Sequence, residues 1–235
     1  MLISIIIPVF NEKKTILKLI YKINKTQLIH DKEIIIVDDN SDDGSRELIK
    51  KNFKNSKNFK IFYHKKNSGK GAAIKTAQKA IRGDIVIIQD ADLEYNPLDY
   101  QKLIYPIIKK KTKVVYGSRV LGKKRYSNKG FTSIVRIFGN HMLTILSNII
   151  NNQRLTDAHT CYKVFYGDLF KKIKLKENDF CFCPEVTSKI ANLGYKIKEV
   201  PIRYNGRKYS EGKKIRSSDA VKAVIALIKY GLLKK

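Results

Sequence analysis

A chain of 235 residues can bury one sizeable hydrophobic core and is short for two. Its 43% hydrophobic and 10% aromatic residues exclude an intrinsically disordered chain. A net charge of +27 attracts polyanions, whether nucleic acid, an anionic membrane surface or a phosphorylated substrate. The lysines are spread along the whole chain, so compositional drift would produce the same charge.

Leu2 to Val9 is a nearly continuous apolar run, as in a strand buried on both faces, and no signal-peptide pattern precedes it. Glu12 to Leu28 has helical spacing through Ile16, Leu19, Ile20 and Ile23. Glu33 to Val37 reads as a second buried strand, ending in Asp38-Asp39-Asn40-Ser41, with a helix from near Asp43. Phe59 to Tyr63 is a third strand, after which Gly69-Lys70-Gly71 opens a helix running through Ile81. Ile85 to Ile88 is a fourth strand and runs into Gln89-Asp90-Ala91-Asp92. Pro97 begins another helix, and Lys113 to Tyr116 is a strand.

Beyond residue 120 the pattern changes. Lys123 to Asn128 reads as a mobile loop. Thr132 to Ile150 reads as an amphipathic helix, because Arg136, Asn140 and His141 interrupt it, and no run of about 18 apolar residues is free of strong polar groups. A strand from Tyr162 to Tyr166, a helix from Glu185 to Leu193 and a strand from Ile197 to Ile202 follow. Arg203 to Arg216 is a basic loop, and Ser217 to Leu233 is a final helix with Ser217 or Ser218 as its N-cap.

Strands alternating with helices predict an α/β fold with a mostly parallel sheet. The polar residues at successive strand C-termini then share one edge, where open α/β sheets bind ligands. That edge would collect Asn11, Glu12, Asp38, Asp39, Asp90 and Asp92. Cys161, Cys181 and Cys183 are an odd, small set, which argues for reduced thiols and a reducing compartment. A zinc site built from Cys181, Cys183 and His159 has the wrong spacing and lacks a fourth ligand.

Asp90 and Asp92 project to the same side of an extended segment, and Glu94 continues the spacing. Hard ions such as Mg²⁺ or Mn²⁺ take one or two carboxylates together with substrate phosphate oxygens. Alone, the triplet reads either as such a metal site or as an acidic cap before Pro97. Asp38-Asp39 reads either as a cap for the next helix or as a partner for a ribose hydroxyl or base N–H. Asn67-Ser68-Gly69-Lys70-Gly71 could hold an anion at a helix N-terminus or serve backbone packing, and it is not a P-loop.

Taken together, Ile7-Pro8-Val9-Phe10-Asn11-Glu12, Val37-Asp38-Asp39-Asn40-Ser41-Asp42-Asp43-Gly44-Ser45, Asn67 to Gly71, Asp90-Ala91-Asp92-Leu93 and Gly117-Ser118-Arg119 resemble family 2 glycosyltransferases of the GT-A fold. Pro184-Glu185, Glu199-Val200-Pro201-Ile202 and Arg207-Lys208-Tyr209-Ser210-Glu211-Gly212-Lys213 are similar to the dolichyl- or polyprenyl-phosphate mannosyltransferase branch. The resemblance implies a single domain with a Rossmann-like sheet flanked by helices. Residues 1–120 would bind the nucleotide-sugar, and 121–235 would bind the acceptor through amphipathic interface helices.

It also implies site residues. Pro8, Phe10, Glu12, Val37 and Asp39 would surround the base and ribose. Asp90, Ala91 and Asp92 would hold the diphosphate through Mg²⁺ or Mn²⁺, with Glu94 as a further ligand. Arg119, Arg207 and Lys213 would face phosphates, and Arg119, Arg136 and Asn140 would grip an acceptor phosphate. Tyr209-Ser210-Glu211-Gly212-Lys213 departs from the family's Tyr-Gly-Glu-Ser-Lys, and Thr156-Asp157-Ala158-His159-Thr160 departs from its Asp-x-x-Ser-Gly.

The expected reaction is inverting transfer of a sugar from GDP-mannose or a UDP-hexose to a polyprenyl phosphate. Such a phosphate, with a second pKa of about 6, is already ionised and needs cations more than a base. A saccharide or surface-polymer acceptor is the alternative, and its hydroxyl would need Asp157 as base. A nucleic-acid partner is not expected, because no zinc finger, RNP-like aromatic stretch or single basic helix is present. The last helix carries Val221, Val224, Ile225, Ile228 and Leu232 beside Lys222, Lys229, Lys234 and Lys235. It either packs on the sheet or lies on an anionic membrane. The expected location is the cytoplasmic face of a membrane, held peripherally or by a membrane-anchored partner subunit.

Overall fold

The computed structural model describes residues 1–54, 56–122, 131–207 and 218–234, and for 131–136 and 218 the backbone alone. Isoleucine-rich runs form the parallel half of the sheet: β1 (Leu2–Val9), β2 (Asp31–Asp38), β3 (Phe59–Tyr63) and β4 (Ile85–Ile88). β1 pairs in parallel with β2 and β4, and β2 with β3. Consecutive residues such as Ile5, Ile6 and Ile7, or Ile34, Ile35 and Ile36, are all buried. Burial without alternation means that both faces are covered, which is why these strands read as unbroken apolar runs.

The intervening helices are α1 (Ile16–Lys25), α2 (Ser45–Phe53), α3 (Lys70–Gln78) and α4 (Tyr100–Ile108). α1 is shorter than its periodicity suggested. Glu12 to Thr15 form a turn in which the Glu12 carbonyl accepts from both Thr15 N and Ile16 N. At the other end Thr26 is extended and its hydroxyl closes on the Lys22 carbonyl. Its buried face is the predicted one, Ile16, Leu19, Ile20 and Ile23.

The second half breaks the parallel pattern. After β5 (Val114–Ser118) and α5 (Phe131–Asn151), β6 (Lys163–Tyr166) inserts between β4 and β5 and runs antiparallel to both. A short helix, α6 (Gly167–Lys172), follows it directly and was not expected from the sequence. The turn into α6 requires Gly167, where a Cβ would lie 2.2 Å from the Gly83 carbonyl. α7 (Phe182–Asn192) and β7 (Lys198–Pro201) complete the sheet, with β7 parallel to β5. Among the described residues the strand order is β3-β2-β1-β4-β6-β5-β7. α8 (Ser218–Leu227) continues into a wider helical turn over Ile228–Leu232. That end abuts α5 at Gly231, where a Cβ would lie 2.2 Å from Ile150 Cγ2.

This topology sets the working edge. β1, β2, β4, β5 and β7 all point the same way, so their C-terminal ends lie together. Antiparallel β6 enters from that edge, so the residues just before it, including Asp157 and Cys161, arrive there too. At the opposite end, Glu33 is buried and ties strands to loops. It accepts from Ser4 Oγ at 2.5 Å, Arg82 N at 2.7 Å and Arg82 Nε at 3.0 Å, with Lys60 Nζ at 3.1 Å. All three cysteines are free and buried. No helix among the described residues is long and apolar enough to cross a membrane.

Candidate active site

The acidic triplet leaves β4 from a fixed platform. Buried Gln89 accepts the hydroxyls of Tyr100 and Tyr162, each at 2.7 Å, and its amide donates to the Asp90 carbonyl at 2.9 Å. Ala91 is buried between the two aspartates. The Asp92 carboxyl is pushed up to about 7 by burial first, then by the neighbouring charges of Asp90 and Glu94. Carboxylates crowded in this way are stabilised by a shared cation. The donor set is oxygen only, which suits a hard divalent ion.

Two protein cations meet these carboxylates. Arg207 reaches the Glu12 carboxylate at 3.0 and 3.1 Å and Asp92 Oδ2 at 3.2 Å. Its own backbone N–H donates to Glu94 Oε1 at 2.7 Å, while Tyr204 donates to Glu94 Oε2 at 2.7 Å. Both Glu94 oxygens therefore latch the segment that carries Arg207 over the edge. Lys70 Nζ lies 2.5 Å from Asp90 Oδ1. Burial alone would lower this amine, but Asp90 outweighs it and holds the amine above the ordinary lysine range.

The acidic pair after β2 divides its labour. Asp38 is fully buried and pairs with Arg46 Nε at 2.6 Å. Asp39 lies beside the glycine-rich turn, accepting from Ser68 N at 2.9 Å and Gly69 N at 2.7 Å, with His64 Nδ1 at 2.6 Å. Neither caps α2: Gly44 holds the N-cap position, and the nearby acceptor is Asp43, which takes Ser45 N at 2.9 Å. Asn11 and Asn40 hold left-handed backbone, φ 53° and 64°, where asparagine is tolerated and the chain can turn off the sheet. Pro8 and Val37 face each other across β1 and β2; Val37 is wholly buried, and Pro8 and Phe10 are partly exposed.

On the other side of β4 the main feature is an ion pair. Arg119 closes on Asp157 with Nε–Oδ2 and Nη2–Oδ1 distances of 2.7 Å each, and Arg119 N adds a third bond at 3.1 Å. Burial would raise the Asp157 carboxyl, but the guanidinium overrides it and holds it below the usual carboxylate range. Glu199 braces the loop by accepting from Thr156 N at 2.7 Å and Asp157 N at 2.9 Å. Buried Lys163 does the same from below, donating to the Ala158 and Thr160 carbonyls at 3.0 and 2.6 Å.

Residues 4–174 match the model of glycosyl transferase family 2. The chain belongs to this family. This glycosyltransferase is 28% identical, over 98% of its own length and 73% of the relative's, to a dolichyl-phosphate beta-glucosyltransferase of Trichomonas vaginalis. It is 30% identical, over 89% and 88%, to a UDP-N-acetylglucosamine–dolichyl-phosphate N-acetylglucosaminyltransferase of Methanococcus voltae. Its fold is that of GT-A enzymes. A TM-score of 0.70 relates it to glucosyl-3-phosphoglycerate synthase from Mycobacterium tuberculosis with Mg²⁺ and UDP, at 16% identity over 97% of this chain and 79% of that one. The same score and identity relate it to mannosyl-3-phosphoglycerate synthase from Rubrobacter xylanophilus, over 99% and 73%.

Of the expected site residues, Glu12, Asp90, Asp92, Glu94 and Arg207 come together, and Arg119 with Asp157 forms a neighbouring group. Asn140 is exposed on α5, the Arg136 side chain is not described, and Lys213 lies outside the described residues. Gln89, Lys163 and Lys70 carry no individual signal in the sequence, because their partners lie on other elements. Lys70 was legible only as part of a glycine-rich turn, and Glu199 only as part of a family motif.

Proposed function

We propose that this glycosyltransferase moves a hexose from a UDP- or GDP-sugar to a polyprenyl or dolichyl phosphate, with inversion and with Mg²⁺ or Mn²⁺. The observation that carries the reading is the Arg119–Asp157 pair beside the acidic edge. A hydroxyl acceptor needs a base, and a carboxylate held low by a guanidinium is a poor one. A phosphate acceptor is ionised already and needs only placement. The two relatives named for dolichyl-phosphate acceptors support the same choice.

In this reading Pro8, Phe10, Glu12 and Asp39 frame the base and ribose, while Val37, expected among them, is wholly buried in β2 and serves through the strand that leads into Asp39. Asp90 and Asp92 hold the ion, and Glu94 keeps its latch on Tyr204 and Arg207. When bound, the ion would offset negative charge on the departing diphosphate. Arg207 would meet that diphosphate; Lys213, the second cation expected there, lies outside the described residues. Arg119 keeps donors beyond those given to Asp157, and with Arg136 and Asn140 it receives the acceptor phosphate, while Asp157 sets the guanidinium's position.

The lipid would be met at the helical face. α5 exposes Phe138, Met142, Ile145 and Ile149, and α8 exposes Val221 and Ile225, continued by Ile228 and Leu232. Ile149 is 74% and Val221 63% exposed, which is unusual for stripes of this regularity. Lys222, Lys229 and Lys234 flank them, as suits a peripheral helix on an anionic surface. A membrane-anchored partner subunit would serve the same face.

The test uses labelled UDP-glucose, UDP-N-acetylglucosamine or GDP-mannose with polyprenyl phosphate. Label should pass to the organic phase with Mn²⁺ or Mg²⁺ and stop with chelator. No transfer from any of these donors would overturn the reading.

A further inference from the structure

The two aspartates expected to share a divalent ion have different protein partners. Asp92 faces Arg207, which rides on the segment latched by Glu94. Asp90 faces Lys70, whose backbone cannot withdraw. Lys70 opens α3, and the glycines on either side press against the chain at 177–179. A Cβ at Gly69 would lie 2.4 Å from the Asn178 carbonyl, and one at Gly71 would lie 2.5 Å from the Glu177 carbonyl. Ala72 N adds a bond to the Asn178 carbonyl at 3.0 Å.

The Lys70 ammonium is thus tethered at the acidic edge. Its side chain is only 15% exposed, with Asp90 Oδ1 at 2.5 Å and Cys161 Sγ at 3.5 Å. Among the described residues Asp90 is its one carboxylate partner. An ammonium carries three N–H donors, so these two contacts leave one for a ligand oxygen.

We infer that Lys70 is a built-in cation of the diphosphate site: it opposes the divalent ion at Asp90 and donates to the nucleotide's diphosphate. The inference rests on the proposed donor reading and adds a residue to it. Its consequence is a split in sign. Removing the charge frees Asp90 for a metal ion while taking a donor from the anion. A lysine that merely held Asp90 in place would, when removed, weaken both.

The test compares wild type with Lys70→Met and Lys70→Gln, and with Lys70→Arg, which keeps the charge. Mn²⁺ binding without nucleotide is read from the free-ion electron paramagnetic resonance signal. UDP and GDP binding in EDTA is read by calorimetry. Both uncharged variants should bind Mn²⁺ several-fold more tightly and the preferred nucleotide about tenfold more weakly, the scale expected when a charge a few ångströms away is removed. Lys70→Arg should stay near wild type in nucleotide binding. Loss of both affinities in folded uncharged variants, or no change in either, would overturn the inference alone. Wild type that binds neither Mn²⁺ nor a nucleoside diphosphate would overturn the proposed function as well.

Discussion

The two sides of the sheet edge are assembled by different means. On the side proposed to bind the donor, parallel β1, β2 and β4 each deliver carboxylates at their own C-terminal ends: Glu12, Asp39, then Asp90 and Asp92. Each follows its strand by a few residues at most, so local sequence places it. On the side proposed to bind the acceptor, Arg119 comes from the end of β5, Asp157 from the approach to antiparallel β6, and Glu199 from β7. Their meeting depends on pairing across 38 to 43 residues. The donor side is also crowded with negative charge that a bound ion would relieve, whereas the acceptor-side pair is already neutralised within the protein. One side gathers four carboxylates around two cations, and the other pairs its guanidinium with a carboxylate.

That contrast can be broken first at Asp92. Asp92→Asn should lower transfer by about a thousandfold, in the range lost when a main source of transition-state charge stabilisation is removed. It should also abolish Mn²⁺-dependent protection by nucleotide in a melting assay. Retained protection would remove the ion from this edge. Asp157→Asn should act on stability, because it leaves the largely buried Arg119 without its partner, at a cost of about 3 kcal/mol. Urea titration checks this; an unaltered midpoint would mean that the pair does not hold the loop.

Glu33 gives a smaller effect, away from the site. Burial would raise its carboxyl, but bonds from Ser4, Arg82 and Lys60 pull it down to about 2. A depressed acid stabilises the fold above its ordinary range and loses that contribution as pH falls toward 2. Glu33→Gln should therefore cost about 2 kcal/mol at neutral pH, with the difference shrinking below pH of about 4. Melting across pH would show it, and a gap that widened in acid would contradict the assignment. The smallest effect is expected on the helical face. Ile225→Glu should cut flotation with anionic liposomes about tenfold and leave melting unchanged. Unaltered flotation would take the membrane off that face.

The same division explains what the sequence made legible. Buried isoleucine runs and the polar residues after them place the strands and the donor carboxylates, because strand, turn and ligand are contiguous. Asp38 and Asp39 could not be separated, since their roles depend on Arg46 and His64 from other elements. Lys70 was hidden because its amine acts on a strand end twenty residues away. The antiparallel insertion of β6 has no local signature: Lys163 to Tyr166 reads as an apolar strand in either direction. Short α6 follows from contact between Gly167 and the turn at Gly83, which periodicity cannot register. Asp157 drew attention as a possible base, and only its distance to Arg119 shows that its charge is already spent.

In the proposed reaction the acceptor's own charge replaces a catalytic base. This is tested most directly by offering one preparation two acceptors of equal chain length, polyprenyl phosphate and the corresponding polyprenol, across pH. Transfer should go to the phosphate alone, with a pH profile whose shape Asp157→Asn leaves unchanged in the folded fraction. Comparable transfer to the alcohol, with an acid limb that disappears in Asp157→Asn, would contradict it.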